Sequence, residues 1–498
     1  MHRALLLPEI VSAILQAGKS EPGLLSHSLL VNQLWFQEAS RILWAICDST
    51  CTEQTHPDIH HLGTLVLLEG AERAQVYADV VQELSFHYGE DYTDQTSWHE
   101  VLCRLRFPML RSVWFWETDH AALLNTENVI LHYAHSALQA LLVDACGTLS
   151  ENFFDVLAQF CSRMQNLKLH PTKVDASPLS VLRLCQRLVN VVDLDLGEGF
   201  QKTLTLPLFE ALASCRNLEL LTIPHVQDDF LCSLEPASGL DWFPKLKYLC
   251  TSADASALEL LNPFIPKLEA LQLLNTHLGR TDNILSVVSS FTYLTDITLR
   301  LSASSLVRSE QTLQLAQRCP GLERLKIGDD TWSDAKPSAA GFTDSFIQEL
   351  APKLPRLKQL FFVLSRDSED LPGAIKTIHT LGRHCRFLEE LAISCRADWA
   401  SIADLPGGIR IANIEHLQLI PTDHIMQSLT EEEHVRLVGV WQENATMWLP
   451  RVQFMFVQEA DDWEEGFVNV LCPNETATGS SDELCTEDGD GSRDAVVV

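Results

Sequence analysis

The chain is poor in positive charge: its 498 residues carry 36 Lys and Arg against 67 Asp and Glu, a formal net charge of −31. That balance speaks against nucleic acid or an anionic membrane as a partner, since both are gripped through Lys and Arg. No stretch reaches the 18 or more uninterrupted apolar residues of a membrane span. The apolar run after His2-Arg3 is interrupted by Pro8-Glu9, and no small-residue cleavage site follows, so a cytoplasmic or nuclear setting is expected rather than a secretory one. There is no P-loop, dinucleotide fingerprint, nucleophile elbow or His-Glu-x-x-His, and the histidines form no triad-like pattern. The expectation is therefore a protein that is not an enzyme and uses no cofactor.

Metal-binding patterns are equally weak. Cys47, Cys51, His56, His60 and His61 fit no closed tetrahedral spacing. Asp488-Gly-Asp490-Gly-Ser492 opens like a calcium loop, but Arg493 stands where the loop needs glycine, and its twelfth position would lie past Val498. No metal is expected. The 14 cysteines are too few for a disulfide scaffold of this length.

What the chain has instead is internal repetition. The pattern apolar-x-x-apolar-x-apolar occurs at Leu62/Leu65/Leu67, Leu110/Val113/Phe115, Leu138/Leu141/Val143, Met164/Leu167/Leu169, Val191/Leu194/Leu196 and Leu218/Leu221/Ile223. It continues at Leu246, Leu268, Leu294, Leu322, Leu357, Leu388, Ile414 and Val452 as first residues. From Leu110 to Leu322 the step is 22 to 28 residues, and the 48 residues before Leu110 leave room for a degenerate repeat. Alternation at the end of each unit predicts a short strand with one buried face. Segments such as Phe153-Phe154-Val156-Leu157-Phe160 and Ile375-Ile378-Leu381 carry helical spacing between the strands. Three residues before the first apolar position stands Cys161, Cys215, Cys319 or Cys385, and elsewhere Phe107, Phe243, Ile265, Phe291, Leu354 or Leu449. A cysteine that exchanges with Phe, Ile and Leu acts as a small buried hydrophobe. Proline follows directly at 108, 244, 266, 320, 355 and 450, where a helix must end. One strand and one helix per unit over residues 60 to 458 resembles a leucine-rich repeat.

The first fifty residues lack this repeat and predict three short helices: Pro8 to Gln16, Leu24 to Leu34, and Phe36 to Ile46. Leu7-Pro8-Glu9-Ile10, Ile14-Leu15, Leu25, Leu29-Leu30-Val31, Trp35 and Leu43-Trp44 resemble an F-box. Asn32-Gln33 departs from the basic or cysteine residues common between that valine and tryptophan. An F-box-like head followed by leucine-rich repeats resembles a family of largely fungal proteins. The resemblance implies an α/β leucine-rich-repeat solenoid (a horseshoe) at 49–458, an all-α head at 1–48, and an acidic tail at 459–498 expected to be largely disordered.

By the same resemblance, the head docks a Skp-type adaptor through Leu7, Pro8, Ile10, Ile14, Leu25, Leu30, Val31, Trp35 and Trp44. A cullin scaffold would then complete an SCF-type ubiquitin ligase, with the repeats selecting a protein substrate. The alternative is a repeat scaffold without ligase function, whose head only caps the solenoid. Side chains alternate along a strand, so residues two, four and six places after each first apolar position should face solvent on the inner side. They include Trp114, Trp116, Leu142, Lys168, His170, Asp193, Asp195, Tyr248, Asp296, Arg300, Arg324, Lys326, Phe361, Phe454 and Phe456. Trp114, Trp116 and Leu142 with Asp193 and Asp195 form the candidate substrate surface, suited to an apolar anchor flanked by Lys or Arg.

Overall fold

The structure, a computed structural model, describes residues 7–19, 21, 23–49, 57–88, 95–117, 126–160, 162–226, 231–232, 242–275, 283–328, 336–365, 371–396, 413–421 and 454–457. The acidic tail, the calcium-like loop, Cys51, His56, Cys161, Leu449 and Pro450 lie outside them. The chain divides into two units, Met1–Ser252 with Pro263–Lys267, and Ala253–Asn262 with Leu268–Val498.

The first unit opens with three helices, α1 (Pro8–Ala17), α2 (Leu24–Ser28) and α3 (Gln33–Leu43). Pro8 sits in the first turn of α1, where its missing N–H costs nothing. The second helix ends at Ser28, short of the expected Leu34, because Asn32 starts the third: its side chain accepts a hydrogen bond from the Trp35 N–H at 3.1 Å. The departure at Asn32 thus has a local cause.

Eight parallel strands follow in this unit: β1 (Ile46–Asp48), β2 (Glu83–Tyr88), β3 (Ser112–Glu117), β4 (Ala140–Ser150), β5 (Asn166–Asp175), β6 (Asp193–Leu196), β7 (Leu220–Thr222) and β8 (Tyr248–Thr251). Each pairs with the next in chain order. The second unit repeats the plan with β9 (Ala270–Asn275), β10 (Asp296–Leu301), β11 (Leu306–Arg308), β12 (Arg324–Ile327), β13 (Ser338–Ala340), β14 (Gln359–Phe362), β15 (Glu390–Cys395), β16 (His416–Pro421) and β17 (Phe454–Val457). There β9, β10, β12, β14, β15, β16 and β17 pair in that order, all parallel, while β11 and β13 form a separate two-stranded ribbon. Each unit is thus a run of strand–helix repeats of the leucine-rich type. Among the described residues, no helix is long and apolar enough to cross a membrane.

One backbone feature recurs at nearly every step. The carbonyl of the residue just after the first apolar position accepts two N–H groups from the following repeat, at 2.7 to 3.2 Å. In the first unit the acceptors are Ala45, Gln82, Arg111, Gln139, Gln165, Val192 and Glu219; in the second they are Glu269, Thr295, Glu323, Lys358 and Glu389. A second bond closes the preceding turn: the carbonyl of the slot residue accepts from the first apolar N–H, as in Phe107 to Leu110, Cys319 to Leu322 and Leu354 to Leu357. Pro108, Pro244, Pro266, Pro320 and Pro355 each lie in that turn. The apolar triads from Leu110 to Leu388 are buried, with Leu110, Val113, Leu138, Leu322, Leu325 and Leu357 fully enclosed. At roughly 1.5–3 kcal/mol per buried aliphatic side chain, they dominate the favourable side of folding.

The slot cysteines bear out their role as hydrophobes, with one exception. Cys319 and Cys385 are enclosed, and burial pushes their thiols up to about 11 and about 12. Cys215 is only partly buried, and burial raises its thiol as well. All ten cysteines described are free thiols.

The first repeat differs from its sequence reading. Leu62/Leu65/Leu67 is not a strand but part of a helix, Ile59–Glu69, which Asp58 caps by accepting from the His60 N–H at 2.8 Å. Leu62, Gly63 and Val66 face inward while Leu67 and Leu68 are exposed, which is helical spacing. The register of β1 against β2, Cys47 opposite Leu84, assigns the first apolar position of that repeat to Trp44 and that of the next to Val81. The room left before Leu110 therefore does hold a repeat, Val81/Leu84/Phe86, all buried.

His99 lies in the core of the first unit against Phe86, Phe115 and Tyr133, its Nδ1 3.3 Å from the tyrosine hydroxyl. Burial, with a smaller contribution from His132, pulls it down to about 4 from an ordinary value near 6.5. The unfolded chain therefore binds a proton below pH 6.5 that the folded chain refuses until about pH 4, so stability falls as pH drops through this window. Fully expressed, the difference is on the order of 3 kcal/mol. The melting temperature of His99→Gln should fall less steeply than wild type between pH 7 and pH 5; parallel profiles would contradict the assignment.

Candidate functional site

Two surfaces of the first unit carry side chains the fold itself does not use. The first is on the head. Val11, Leu15, Leu25 and Ala39 form its core, with Leu24, Leu29, Leu34, Trp35, Ile42 and Leu43 packed around them. That leaves Leu7 at 50%, Ile10 at 37% and Ile14 at 40% exposure along one side of α1, and Leu30 at 85% and Val31 at 48% between α2 and α3. Pro8 is exposed beside them.

The remaining head residues named from the sequence are placed otherwise. Leu25 is inside the core, and Trp44 is 8% exposed, its ring 4.9 Å from that of Tyr77. Trp44 fills the first apolar position of a repeat, so it holds the head's last helix to the solenoid instead of facing a partner. Trp35 is half-buried against the head's core, and its indole N–H is enclosed without an acceptor among the described residues. The exposed set is therefore Leu7, Pro8, Ile10, Ile14, Leu30 and Val31.

The second surface is the inner face of β1 to β6. The register sets Ser85 beside Trp114, His87 beside Trp116, Trp114 beside Leu142, Leu142 beside Lys168, and Lys168 beside Asp195. All are half-buried. The two indoles lie 5.3 Å apart, and His87 stacks on Trp116 at 6.1 Å with 14° between planes. The Lys168 ammonium sits 5.8 Å from the Trp116 ring centre and 2.8 Å from Asp144. His170 bridges Asp144 at 3.3 Å and Asp195 at 2.8 Å.

Asp144 and the histidines are what the sequence reading missed as a cluster. Between Val143 and Cys146 strand β4 advances three residues while β5 advances two, from Leu169 to Pro171. This bulge brings Asp144 to both Lys168 and His170. A bulge has no reliable signature in a sequence whose apolar alternation runs on regardless. The consequence for Asp195 is chemical: it is already engaged by His170, so it is not a free carboxylate awaiting a partner's lysine. Asp193 is half-buried, and burial, followed by the Asp195 charge, raises its pKa against the lowering effect of Lys168. The face combines aromatic area with a partly self-neutralised charge network. Its contents suit protein recognition, since aromatics anchor and fixed charges orient.

Of the other inner-face residues expected, Tyr248, Asp296, Arg300, Lys326 and Phe361 are half-buried and Arg324 is exposed. Phe454 and Phe456 have side chains outside the description. On the inner faces of their own units, Cys250 in the first and Ala392 and Ser394 in the second are buried.

No family model matches this chain, and no curated protein does. Solved structures it resembles include the TLR13–ssRNA13 complex, at a TM-score of 0.39 and 14% identity over 70% of this chain and 47% of that one. Others are an internalin from Listeria monocytogenes (0.36, 13%, 81% of this chain and 95% of that one) and the yeast Rad7–Elc1 complex (0.33, 14%, 73% and 94%). The chain spans about half the length of the TLR13 chain.

Lys168→Met keeps the stem on Trp116 and removes the charge. It should lower stability by about 1 kcal/mol in low salt and by much less in 1 M salt, where such pairs are screened. A salt-independent loss would mean that packing, not the ion network, holds this face.

Proposed function

We propose that this chain is the substrate-recognition subunit of an SCF-type ubiquitin ligase, its head docking a Skp-type adaptor on a cullin scaffold and its repeats binding a protein substrate. The observation that carries the reading is the set of exposed apolar side chains, Leu7, Ile10 and Ile14 at α1 and Leu30 and Val31 after α2, on a helical head that already has a core of its own. Large apolar side chains left outside a satisfied core mark an interaction surface. In this reading the chain does no bond chemistry. It holds the substrate near the ubiquitin-charged enzyme and raises its effective concentration, in the cytoplasm or the nucleus.

The competing reading, a scaffold whose head is only a cap, is favoured by two ring contacts. Trp44 and Phe36 both pack on Tyr77, at 4.9 and 6.3 Å, and so tie the head to the first repeats. A cap accounts for Trp44 but not for Leu30, which is 85% exposed.

Ile10→Asp with Leu30→Asp changes two exposed residues and should leave the melting temperature within a few degrees. It should also weaken capture of purified Skp-type adaptor by at least tenfold, since burying each of these side chains is worth about 1.5–3 kcal/mol. Equal adaptor capture by this variant and wild type, or none by either, would remove the ligase reading and leave the scaffold.

A further inference from the structure

The second unit has an inner face of opposite character. Strand β10 contributes Asp296, Thr298 and Arg300, β12 contributes Arg324 and Lys326, and β14 contributes Gln359 and Phe361. Asp296 lies opposite Arg324, Thr298 opposite Lys326, and Lys326 opposite Phe361. Arg300, two places beyond Thr298, is thus a diagonal neighbour of Lys326, about 7–8 Å away between Cα atoms.

Asp296 neutralises only one of the three cations: its carboxylate meets Arg324 at 2.6 Å. The Lys326 ammonium rests 4.2 Å from the centre of the Phe361 ring and has no carboxylate partner among the described residues. Arg300 has no ion pair among them either, and its Nε–H is enclosed without an acceptor. A guanidinium that is partly desolvated and uncompensated gains more from an added counter-charge than one in open water. These four charged residues sum to two positive charges, on a chain of net −31. At physiological ionic strength charges more than roughly 8 Å away are largely screened, so an approaching ligand senses this local cluster more than the whole molecule.

We propose that the inner face around Arg300, Lys326 and Phe361 binds an acidic peptide segment of a partner protein. A carboxylate would meet Arg300, the next would meet Lys326, and an apolar side chain would lie on Phe361. Arginine suits the first role because its planar fork takes a carboxylate through two N–H groups. Side chains on one face of an extended peptide recur every second residue, and the diagonal spacing of Arg300 and Lys326 matches that repeat. This deepens the proposed partner-binding role of the repeats, and it stands apart from adaptor docking by the head, which shares none of these residues.

The test uses the full chain and a fluorescein-labelled decapeptide with Glu at alternate positions and Leu near its centre, followed by fluorescence anisotropy at 0.15 M salt. Saturable binding is expected, at least tenfold tighter than for the same peptide with Gln in place of Glu. Arg300→Gln with Lys326→Gln should weaken it at least tenfold, whereas Lys326→Arg, which keeps the charge, should stay within about threefold. Adaptor capture by each variant, read in parallel, reports whether the head and fold remain intact. Equal affinity for the Glu and Gln peptides, or no loss in the Gln double variant, would overturn the proposal. So would binding seen only in a chain ending at residue 458, because the occupant would then be the protein's own acidic residues 459–498.

Discussion

A single carbonyl oxygen per repeat, shared by two N–H groups of the next, is the constraint on which the rest of the molecule depends. It lies one residue after the first apolar position, so the helix-to-strand turn and the strand register are fixed by the same bond pair. Backbone groups hidden between repeats need partners, and this arrangement supplies them without any side chain. Sequence can then vary freely at the acceptor, which is Ala45, Arg111, Val192 or Glu323 in different repeats. The apolar residue before it is kept in every described repeat, while the slot three places before that residue is apolar or cysteine in most repeats but His135 and Arg41 in two.

The two inner-face surfaces are consequences of that register. A shift of one residue would move every inner-face side chain into the core. With register held, Trp114, Trp116 and His87 come together across two strands, and Arg300 and Lys326 across another two. The first face offers aromatic area with acids already engaged by Lys168 and His170; the second offers Arg300 and Lys326 without an ion pair among the described residues. Similar backbone plans thus carry two different sets of side chains in the two units.

Much of this was legible in the sequence, and the failures are physical. The apolar triads, the proline turns and the burial of Cys319 and Cys385 follow from periodicity and residue exchange alone. Leu62/Leu65/Leu67 misled because an apolar run such as Leu65-Val66-Leu67-Leu68 satisfies both a strand pattern and a helix pattern, and Asp58 decided the outcome as a cap. Val81/Leu84/Phe86 fits the same pattern as Val191/Leu194/Leu196 and was passed over, its place marked only by the gap before Leu110. The placement of Leu25 and Trp44 inside, and of Leu30 outside, depends on how three short helices pack, which spacing alone does not determine. The Asp144 contacts depend on a bulge that leaves no mark on apolar alternation.

The central claim is the register that separates inner face from core, and a pair of engineered cysteines tests it directly. Leu142 lies opposite Lys168 on the inner face, while Leu169 is buried on the other side of β5. Cysteine side chains bridge when their Cα atoms lie about 4.4–6.8 Å apart and their Cβ atoms point together. Leu142→Cys with Lys168→Cys should therefore oxidise to a disulfide found by peptide mapping, and Leu142→Cys with Leu169→Cys should remain reduced. A disulfide in the second pair and none in the first would contradict the register, and with it both proposed recognition surfaces.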